Sequence, residues 1–253
     1  MTPWRPALGA VIGFYSRLPV PIPADVTLAR CVWILPAATV VIAWPAAVAG
    51  GLAWWLGLAP LAAALVASLA LAVTTGALHE DGLADCADGF WGAATIGRRL
   101  EIMRDSRIGT YGVLALVGAV GLKAALLAQL FERVGGWALV LFIAAAVAGR
   151  AVALFPWAGL PNARTGGLAA SAGRPTGNDF RTAMLMALAI TAVLTLWVSP
   201  LGFILAGLTA AGSAKAVASL ADAKIGGHTG DVIGAAVILG DLSYLAGFTI
   251  SLA

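Results

Sequence analysis

The chain has 253 residues, of which 61% are hydrophobic and only 11% carry a charge. A soluble domain carries about 25% charged residues, so this composition excludes an ordinary soluble protein and predicts an all-α, polytopic transmembrane helix bundle. The net charge of +3 does not indicate nucleic-acid binding, because the basic residues fall mainly between apolar stretches, where they suit a membrane surface. We expect one integral-membrane domain over residues 1–253.

Apolar stretches that follow a lead-in of residues 1–30 predict about seven spans, each near the roughly 20 residues that a helix needs to cross a bilayer. They cover residues 31–57, 59–78, 111–130, 137–157, 183–198, 201–221 and 232–252. With a cytoplasmic N-terminus, 11 of the 15 Lys and Arg residues lie in cytoplasmic segments, and only Arg133 lies on the opposite side. This positive-inside pattern predicts that every loop rich in Asp and Gly faces the cytoplasm.

Residues 79–109, after the second predicted span, hold six of the chain's 12 acidic residues. If residues 79–90 are helical, Asp81, Asp85 and Asp88 fall within an arc of about 60° on one face. Neighbouring carboxylates repel one another and are costly near lipid, and divalent cations relieve both costs. Mg²⁺ is typically held by a few carboxylates together with substrate phosphates. The spacing predicts a site for Mg²⁺ and phosphate, and the alternative is a solvated acidic loop neutralised by nearby arginines.

A second polar motif, residues 222–231, precedes the last predicted span. Its glycines, with Thr229 and Asp231, suit an anion near a helix N-terminus, and Asp231 is alternatively a plain N-cap. Asp241 lies inside the span, where a carboxylate needs a partner. The candidate partners are the basic residues within spans, Lys123, Arg150 and Lys215.

Three further features carry weaker signals. Arg150 is predicted to point into the bundle, where it pairs with an acid or reaches substrate phosphate. His79 is a candidate base, because histidine exchanges a proton near neutral pH, and a structural role at a helix end is the alternative. Residues 158–182, which include Asn162 and Arg164, lack a sharp pattern and are expected to form a solvated linker, with a mobile lid or a substrate-side loop as the alternatives.

The chain resembles the cobalamin synthase family, also called adenosylcobinamide-GDP ribazoletransferases, in motifs along nearly its whole length. The matching residues are 17–21, His79, 81–85, 88–89, 100–110, 226–227, 229–231 and 234–236. The sequence departs from the family pattern at Glu80, Ile238 and Asp241, where the family usually carries an apolar residue, an acid and Glu, respectively.

The resemblance implies a single catalytic domain in the bacterial inner (cytoplasmic) membrane, with Mg²⁺ as cofactor and an active site that faces the cytoplasm. Such an enzyme joins adenosylcobinamide-GDP to α-ribazole or its 5′-phosphate. A ribose hydroxyl attacks the corrinoid-linked phosphate, GMP leaves, and adenosylcobalamin or its 5′-phosphate forms. The resemblance leaves open a homo-oligomer or an association with other corrinoid-pathway enzymes.

The motifs and the resemblance together give each polar group an expected role. Asp105 is a further metal ligand or the base, and His79 is a second candidate base. The expected metal ligands are Asp81, Asp85, Asp88 and Glu80. The expected substrate-binding residues are Arg104, Arg107, Arg150, Gly227, Thr229 and Asp231. Arginine suits the diphosphate because its guanidinium can bind two oxygens at once.

Other classes of membrane protein remain as alternatives. A CDP-alcohol phosphotransferase also carries Asp-Gly-x-x-Ala followed by spaced aspartates, although Asp85 stands where that family has Arg. A prenyltransferase-like enzyme also uses Asp-rich Mg²⁺–diphosphate motifs, on two separate helices. An ion-coupled transporter, from a different class, would use Arg150, Lys215 and Asp241 as an ion or proton path.

Overall fold

The computed structural model describes residues 2–23, 26–164 and 172–252. Within these ranges there is no β-strand, and the predicted all-α fold is confirmed. The α-helices are α1 (Trp4–Tyr15), α2 (Leu35–Trp55), α3 (Pro60–Thr75), α4 (Leu78–Gly92), α5 (Ile96–Ile102), α6 (Thr110–Val134), α7 (Ala138–Val152), α8 (Leu154–Gly159), α9 (Gly177–Thr195), α10 (Pro200–Ile225) and α11 (Gly230–Ile250). Short 3₁₀ helices occur at Leu28–Arg30, Val32–Ile34 and Gly135–Trp137.

Long helices of the bundle run between a site end, which holds α4 and α5, and a far end, which holds the turn Gly135–Trp137. Lys123 of α6 pairs with Asp241 of α11, and Arg133 donates to the carbonyl of Thr249, so α6 and α11 run in the same direction. Helix α7 begins where α6 ends and packs Gly149 against Asp241, so it returns to the site end. The chain therefore brings both predicted polar motifs to one end of the bundle.

The predicted number of about seven spans is not confirmed. In the described part of the chain, four helical segments are long and apolar enough to cross a membrane, and a fifth qualifies if α3 and α4 form one broken span. The four segments are Val32–Trp55, Thr110–Gly159, Pro200–Ile225 and Gly230–Ile250. The count is lower because the predicted spans 111–130 and 137–157 fall in one continuous helical segment. In addition, α3 has only 16 residues, and α9 starts with polar residues, among them Asp179. The side of the membrane on which the N-terminus lies stays a prediction.

Helix α11 packs against α4, α6, α7 and α10, and small residues make these close approaches possible. A Cβ atom on Gly240 would lie 3.0 Å from the Cα atom of Gly149 in α7. A Cβ atom on Gly247 would lie 2.8 Å from the carbonyl oxygen of Leu205 in α10. Helix α11 is therefore the central helix that fixes the positions of its neighbours.

The connection between α3 and α4 bends the chain by 92°. Gly76 has φ +66° and Ala77 has φ +55°, and Ala77 is the one non-glycine residue with positive φ in the described ranges. A left-handed backbone ends a helix without lengthening the connection. The N–H group of Arg17, after α1, donates to the carbonyl of Thr74 at 2.7 Å. This bend turns α4 across the site end instead of letting α3 continue in its own direction.

Candidate active site

Helix α4 carries the acidic motif, so the helix that was assumed for residues 79–90 is present. Its two internal glycines serve close packing. A Cβ atom on Gly82 would lie 2.8 Å from the carbonyl oxygen of Asp231 at the start of α11. A Cβ atom on Gly89 would lie 3.0 Å from the carbonyl oxygen of Arg99 in α5. Gly82 thus allows the acidic face of α4 to meet the first turn of α11.

Three carboxylates lie near this contact, and we call Asp81, Asp85 and Asp231 the acidic cluster. The charged form of the half-buried Asp85 is disfavoured first by burial and then by the charges of Asp231 and Asp81, and it is favoured by the guanidinium of Arg164. Arg164 Nη1 lies 3.3 Å from Asp231 Oδ2, which also accepts a hydrogen bond from the Thr229 hydroxyl at 3.1 Å. One guanidinium therefore faces three carboxylates that oppose one another's charge.

Asp88 has a different position from the one predicted. Its two carboxylate oxygens accept hydrogen bonds from the backbone N–H groups of Gly109 at 2.7 Å and Gly112 at 2.9 Å. It therefore caps the N-terminus of α6, where the exposed N–H groups and the helix dipole favour a negative charge. Within the described ranges, no three His, Cys, Asp or Glu side chains are placed to hold one metal ion. The three aspartates predicted as one ligand set thus divide between the acidic cluster and a helix cap.

Glu80 and Arg150 lie away from the acidic cluster, in a buried group of charges. Lys123 Nζ lies 2.6 Å from Asp241 Oδ2, so the expected partner of the intramembrane carboxylate is found. Glu80 lines the small cavity beside this pair. Arg150 is only 2% exposed and donates to the carbonyl of Ala146 in its own helix at 3.3 Å. We call Glu80, Lys123, Arg150 and Asp241 the interior ion cluster, and its position does not support a direct metal role for Glu80 or a phosphate role for Arg150.

A cavity of about 260 Å³ opens beside the acidic cluster, and we call it the central cavity. Polar groups of its wall come from the acidic cluster and from the segments before α11 and after α8: Asp81, Asn162, Arg164, His228, Thr229 and Asp231. Apolar and aromatic groups come from α1, the first 3₁₀ helix and the starts and ends of other helices: Phe14, Tyr15, Leu28, Leu78 and Trp157. The cavity therefore combines an apolar lining with a cluster of charges, as ligand sites in proteins do.

The loop before α11 is joined to the segment after α8 by a short backbone bridge. The N–H group of His228 donates to the carbonyl of Pro161 at 2.8 Å, and the N–H group of Ala163 donates to the carbonyl of His228 at 2.9 Å. Gly227 permits this bridge because a Cβ atom there would collide with the carbonyl of Pro161. Burial lowers the pKa of His228, so its imidazole is neutral at pH 7. The bridge carries the chain to Arg164 and so delivers the guanidinium to the acidic cluster.

Thr229, and not Asp231, is the N-cap of α11. Its hydroxyl accepts a hydrogen bond from the N–H group of Val232 at 3.4 Å. Asp231 lies in the first turn of the helix and points toward Arg164, so the alternative of a plain N-cap for Asp231 does not hold. The loop thereby frees this carboxylate for the acidic cluster.

Arg164 is the residue of this site that sequence reasoning missed. Besides its ion pair with Asp231, its Nη2 atom donates to the carbonyl of Leu100 in α5 at 3.3 Å. The segment that holds it lacks hydrophobic periodicity, so a linker was expected, with a lid or a substrate-side loop as alternatives, and Arg164 was given no role. Residues 165–171 of that predicted segment lie outside the described residues.

The predicted residues of the loop between α5 and α6 lie apart from these groups. Arg107 Nη2 lies 2.6 Å from Asp105 Oδ2, and both side chains are exposed. The hydrogen bonds from Arg107 lower the pKa of Asp105 to about 2, so this carboxylate is charged at pH 7. The Arg104 side chain is exposed, and it makes no ion pair with the described acidic residues. A role for these three residues in binding the diphosphate stays a prediction.

The fold and the site are those of an α-helical membrane protein whose polar site lies at one end of the bundle. This arrangement is consistent with the class of integral-membrane enzymes. Residues 7–249 match the cobalamin-5-phosphate synthase family, and the chain belongs to this family of cobalamin-biosynthesis transferases. It is 45% identical over 250 residues to proteins of Brucella canis and Brucella suis, and 43% identical over 248 residues to a protein of Brucella anthropi. Each match covers 95% of both chains, and all three relatives carry the name adenosylcobinamide-GDP ribazoletransferase. No solved structure matches the chain. The expected family and enzyme class are therefore confirmed.

Proposed function

We propose that this protein joins adenosylcobinamide-GDP to α-ribazole, or to its 5′-phosphate, and releases GMP. A ribose hydroxyl oxygen forms a bond to the corrinoid-linked phosphorus, the diphosphate P–O bond breaks, and the electron pair of that bond leaves with GMP. The family and the names of the relatives support this transfer. The single observation that carries it is that Asp81, Asp231 and Arg164 line one cavity, because phosphoryl transfer depends on alignment and charge neutralisation.

Mg²⁺ fits the donor set of the acidic cluster. Mg²⁺ usually takes one or two carboxylates, several waters and substrate phosphates, and it does not need a cage of protein ligands. Asp85 and Asp231 would hold it, with Asp81 beside them, and the mutual repulsion of these neighbouring carboxylates is the observation that supports a cation there. When bound, Mg²⁺ neutralises charge on the diphosphate. This ligand set includes Asp231 and omits Glu80 and Asp88.

The chain's own residues supply orientation and a proton acceptor. Arg164 lines the central cavity and presents a guanidinium, which binds two phosphate oxygens in a fixed geometry. Its ion pair with Asp231 keeps that guanidinium in place before the substrate arrives. Asp81 is exposed and lines the same cavity, so it accepts the proton of the attacking hydroxyl. His79 is buried against Tyr15 and is not needed as the base.

The site end is proposed to face the cytoplasm of a bacterial inner membrane. The distribution of basic residues supports this orientation, because 11 of the 15 fall in the segments assigned to that side. Helix α11 then ends on the opposite side. A reporter fused after Ala253 should be active only outside the cytoplasm, and activity inside the cytoplasm would reverse the proposed orientation.

The transfer is tested with detergent-purified protein given adenosylcobinamide-GDP and α-ribazole, with GMP release as the readout. We expect release to stop with EDTA and to return with added Mg²⁺. We expect Asp85→Asn to lower the rate at least 100-fold. Asp222→Asn is the matched control, because Asp222 is an exposed carboxylate near the end of α10 and lies outside the acidic cluster. Normal turnover in the Asp85 variant would remove the metal role, and absence of GMP release from the unaltered protein would refute the transfer.

A further inference from the structure

We infer that the central cavity is the acceptor site, where an aromatic nucleoside binds with its base beside Tyr15 and its ribose toward Asp81. The inference rests on the proposed function and places one of its two substrates. It also makes Tyr15 a binding residue for the nucleoside base.

The size of the cavity indicates which of the two substrates can bind inside it. Its volume of about 260 Å³ suits a base joined to a ribose and is far too small for a corrin macrocycle with its side chains. Typical small-molecule pockets measure about 300–1,000 Å³, so this cavity lies just below the small end of that range. The corrinoid therefore stays outside this cavity, and only its diphosphate end reaches the acidic cluster.

Aromatic rings form one wall of the cavity. The rings of Tyr15 and His79 are parallel within 1°, with their centroids 5.8 Å apart, and Phe14 meets Tyr15 edge to face at 4.9 Å. Leu28 and Trp157 add apolar surface. Flat aromatic side chains of this kind bind nucleic-acid bases by stacking, with little preference among bases of similar size. This wall fits a planar heterocyclic base better than a phosphate or a lipid chain.

Two buried nitrogen atoms in the cavity wall lack partners. His79 Nε2 and His228 Nδ1 make no hydrogen bond within the described ranges, and each residue is only 3% exposed. Buried polar atoms in proteins are nearly always hydrogen-bonded, and an imidazole nitrogen pairs with a hydroxyl group or a heterocyclic nitrogen. A nucleoside carries both kinds of group. Two such atoms on the wall of one aromatic cavity point to a ligand that combines ring nitrogens with ribose hydroxyls.

The positions of the aromatic and the charged side chains around the cavity also determine how the bound nucleoside is oriented. His79 and Asp81 lie two residues apart on α4 and line the same cavity. Arg164 and Asp231, which are proposed to meet the diphosphate, lie on the polar part of its wall. A base on the Tyr15 side therefore directs its ribose toward the acidic cluster, where the attacking hydroxyl is needed.

The test compares Tyr15→Leu with Tyr15→Phe in two measurements on the full-length protein in detergent. Calorimetry gives the Kd of α-ribazole without the corrinoid, and GMP release gives a separate KM for each substrate. We expect Tyr15→Leu to raise the Kd and the KM for α-ribazole about 10-fold and to leave the KM for adenosylcobinamide-GDP unchanged. We expect Tyr15→Phe to behave like the unaltered protein, because it keeps the ring.

Tyr244→Leu controls for the loss of a buried tyrosine elsewhere, because Tyr244 is 1% exposed and contacts the Thr195 hydroxyl away from the central cavity. Equal changes in both KM values, or an α-ribazole Kd that Tyr15→Leu leaves unchanged, would overturn the acceptor site. A Tyr244→Leu variant with the same α-ribazole-specific change would also overturn it. Absence of GMP release with normal α-ribazole binding would instead refute the proposed transfer and leave the binding site intact.

Discussion

Replacement of Asp88 by Asn tests whether Asp88 acts as a helix cap or as a metal ligand. In the structure, the two carboxylate oxygens of Asp88 accept hydrogen bonds from the N–H groups of Gly109 and Gly112 at the start of α6. Asparagine keeps one acceptor oxygen and places an NH₂ group opposite the second N–H group. Asp88→Asn therefore loses one bond to a charged acceptor and the favourable charge at the helix N-terminus.

The size of the effect follows from these two losses. A hydrogen bond to a charged group contributes about 1.5–3 kcal/mol, and a charge at a helix N-terminus contributes about 0.3–1 kcal/mol. Together they predict a loss of about 2–4 kcal/mol in the free energy of unfolding for Asp88→Asn. For a chain of this size, that loss corresponds to a fall in Tm of about 4–16 °C.

The two cysteines provide the assay. Cys31 and Cys86 are free and buried, so a dye that becomes fluorescent on reaction with thiols reports unfolding during a temperature ramp. Asp85→Asn is the matched variant, because it removes a charge that Asp81 and Asp231 repel. We expect Asp85→Asn to keep or raise the Tm while it stops the transfer.

The opposite pattern would refute the assignment of Asp88. If Asp88→Asn keeps its Tm within about 1 °C of the unaltered protein and loses Mg²⁺-dependent transfer, Asp88 acts at the metal and not as a cap. In that case the two backbone hydrogen bonds contribute far less than charge-assisted bonds usually do.

Two other contacts give further predictions. Lys123→Met should lower the free energy of unfolding by about 3–5 kcal/mol, because it leaves the buried Asp241 without this counter-charge, and Lys123→Met with Asp241→Leu should recover most of the loss in the thiol assay. Equal Tm values for the single and double variants would show that the pair is not coupled. Gly82→Ala should lower the transfer rate at least 10-fold, because the new Cβ atom would lie 2.8 Å from the backbone oxygen of Asp231. Gly97→Ala is the control, with nothing within 4 Å of its Cβ atom, and a normal transfer rate in Gly82→Ala would contradict the close contact.

Local pattern predicted the helices and part of the site. The periodic spacing of Asp81 and Asp85 placed both carboxylates on one face of a helix, and α4 has that helix. The same spacing also placed Asp88 with them, but Asp88 binds N–H groups 21 and 24 residues further along the chain. A helical wheel gives the direction of a side chain from its helix. It does not show which distant residues of the chain will bind that side chain in the folded protein. Glu80 shows the same limit, since one residue along a helix turns it about 100° toward the interior ion cluster.

Long-range contacts explain what could not be predicted. Arg164 reaches Asp231 only because the backbone bridge between Asn162 and His228 joins two segments that are distant in sequence. Neither segment has a hydrophobic period that would indicate a contact. The number of spans shows a related limit, because hydropathy identifies apolar stretches and not the points where the backbone turns. Gly135, with φ +59°, separates α6 from α7 inside one continuous apolar segment.

The turn at Gly76 and Ala77 also decides where the carboxylates of α4 lie relative to the bundle. Helix α3 has 16 residues and ends at the site end. A straight continuation of α3 would carry Asp81, Asp85 and Asp88 beyond the end of the bundle and away from α6 and α11. Because the backbone turns aside by 92°, α4 instead packs against α6 and α11. Two residues with left-handed backbone thus keep a strongly acidic helix against the protein, where its side chains can share a ligand with other segments.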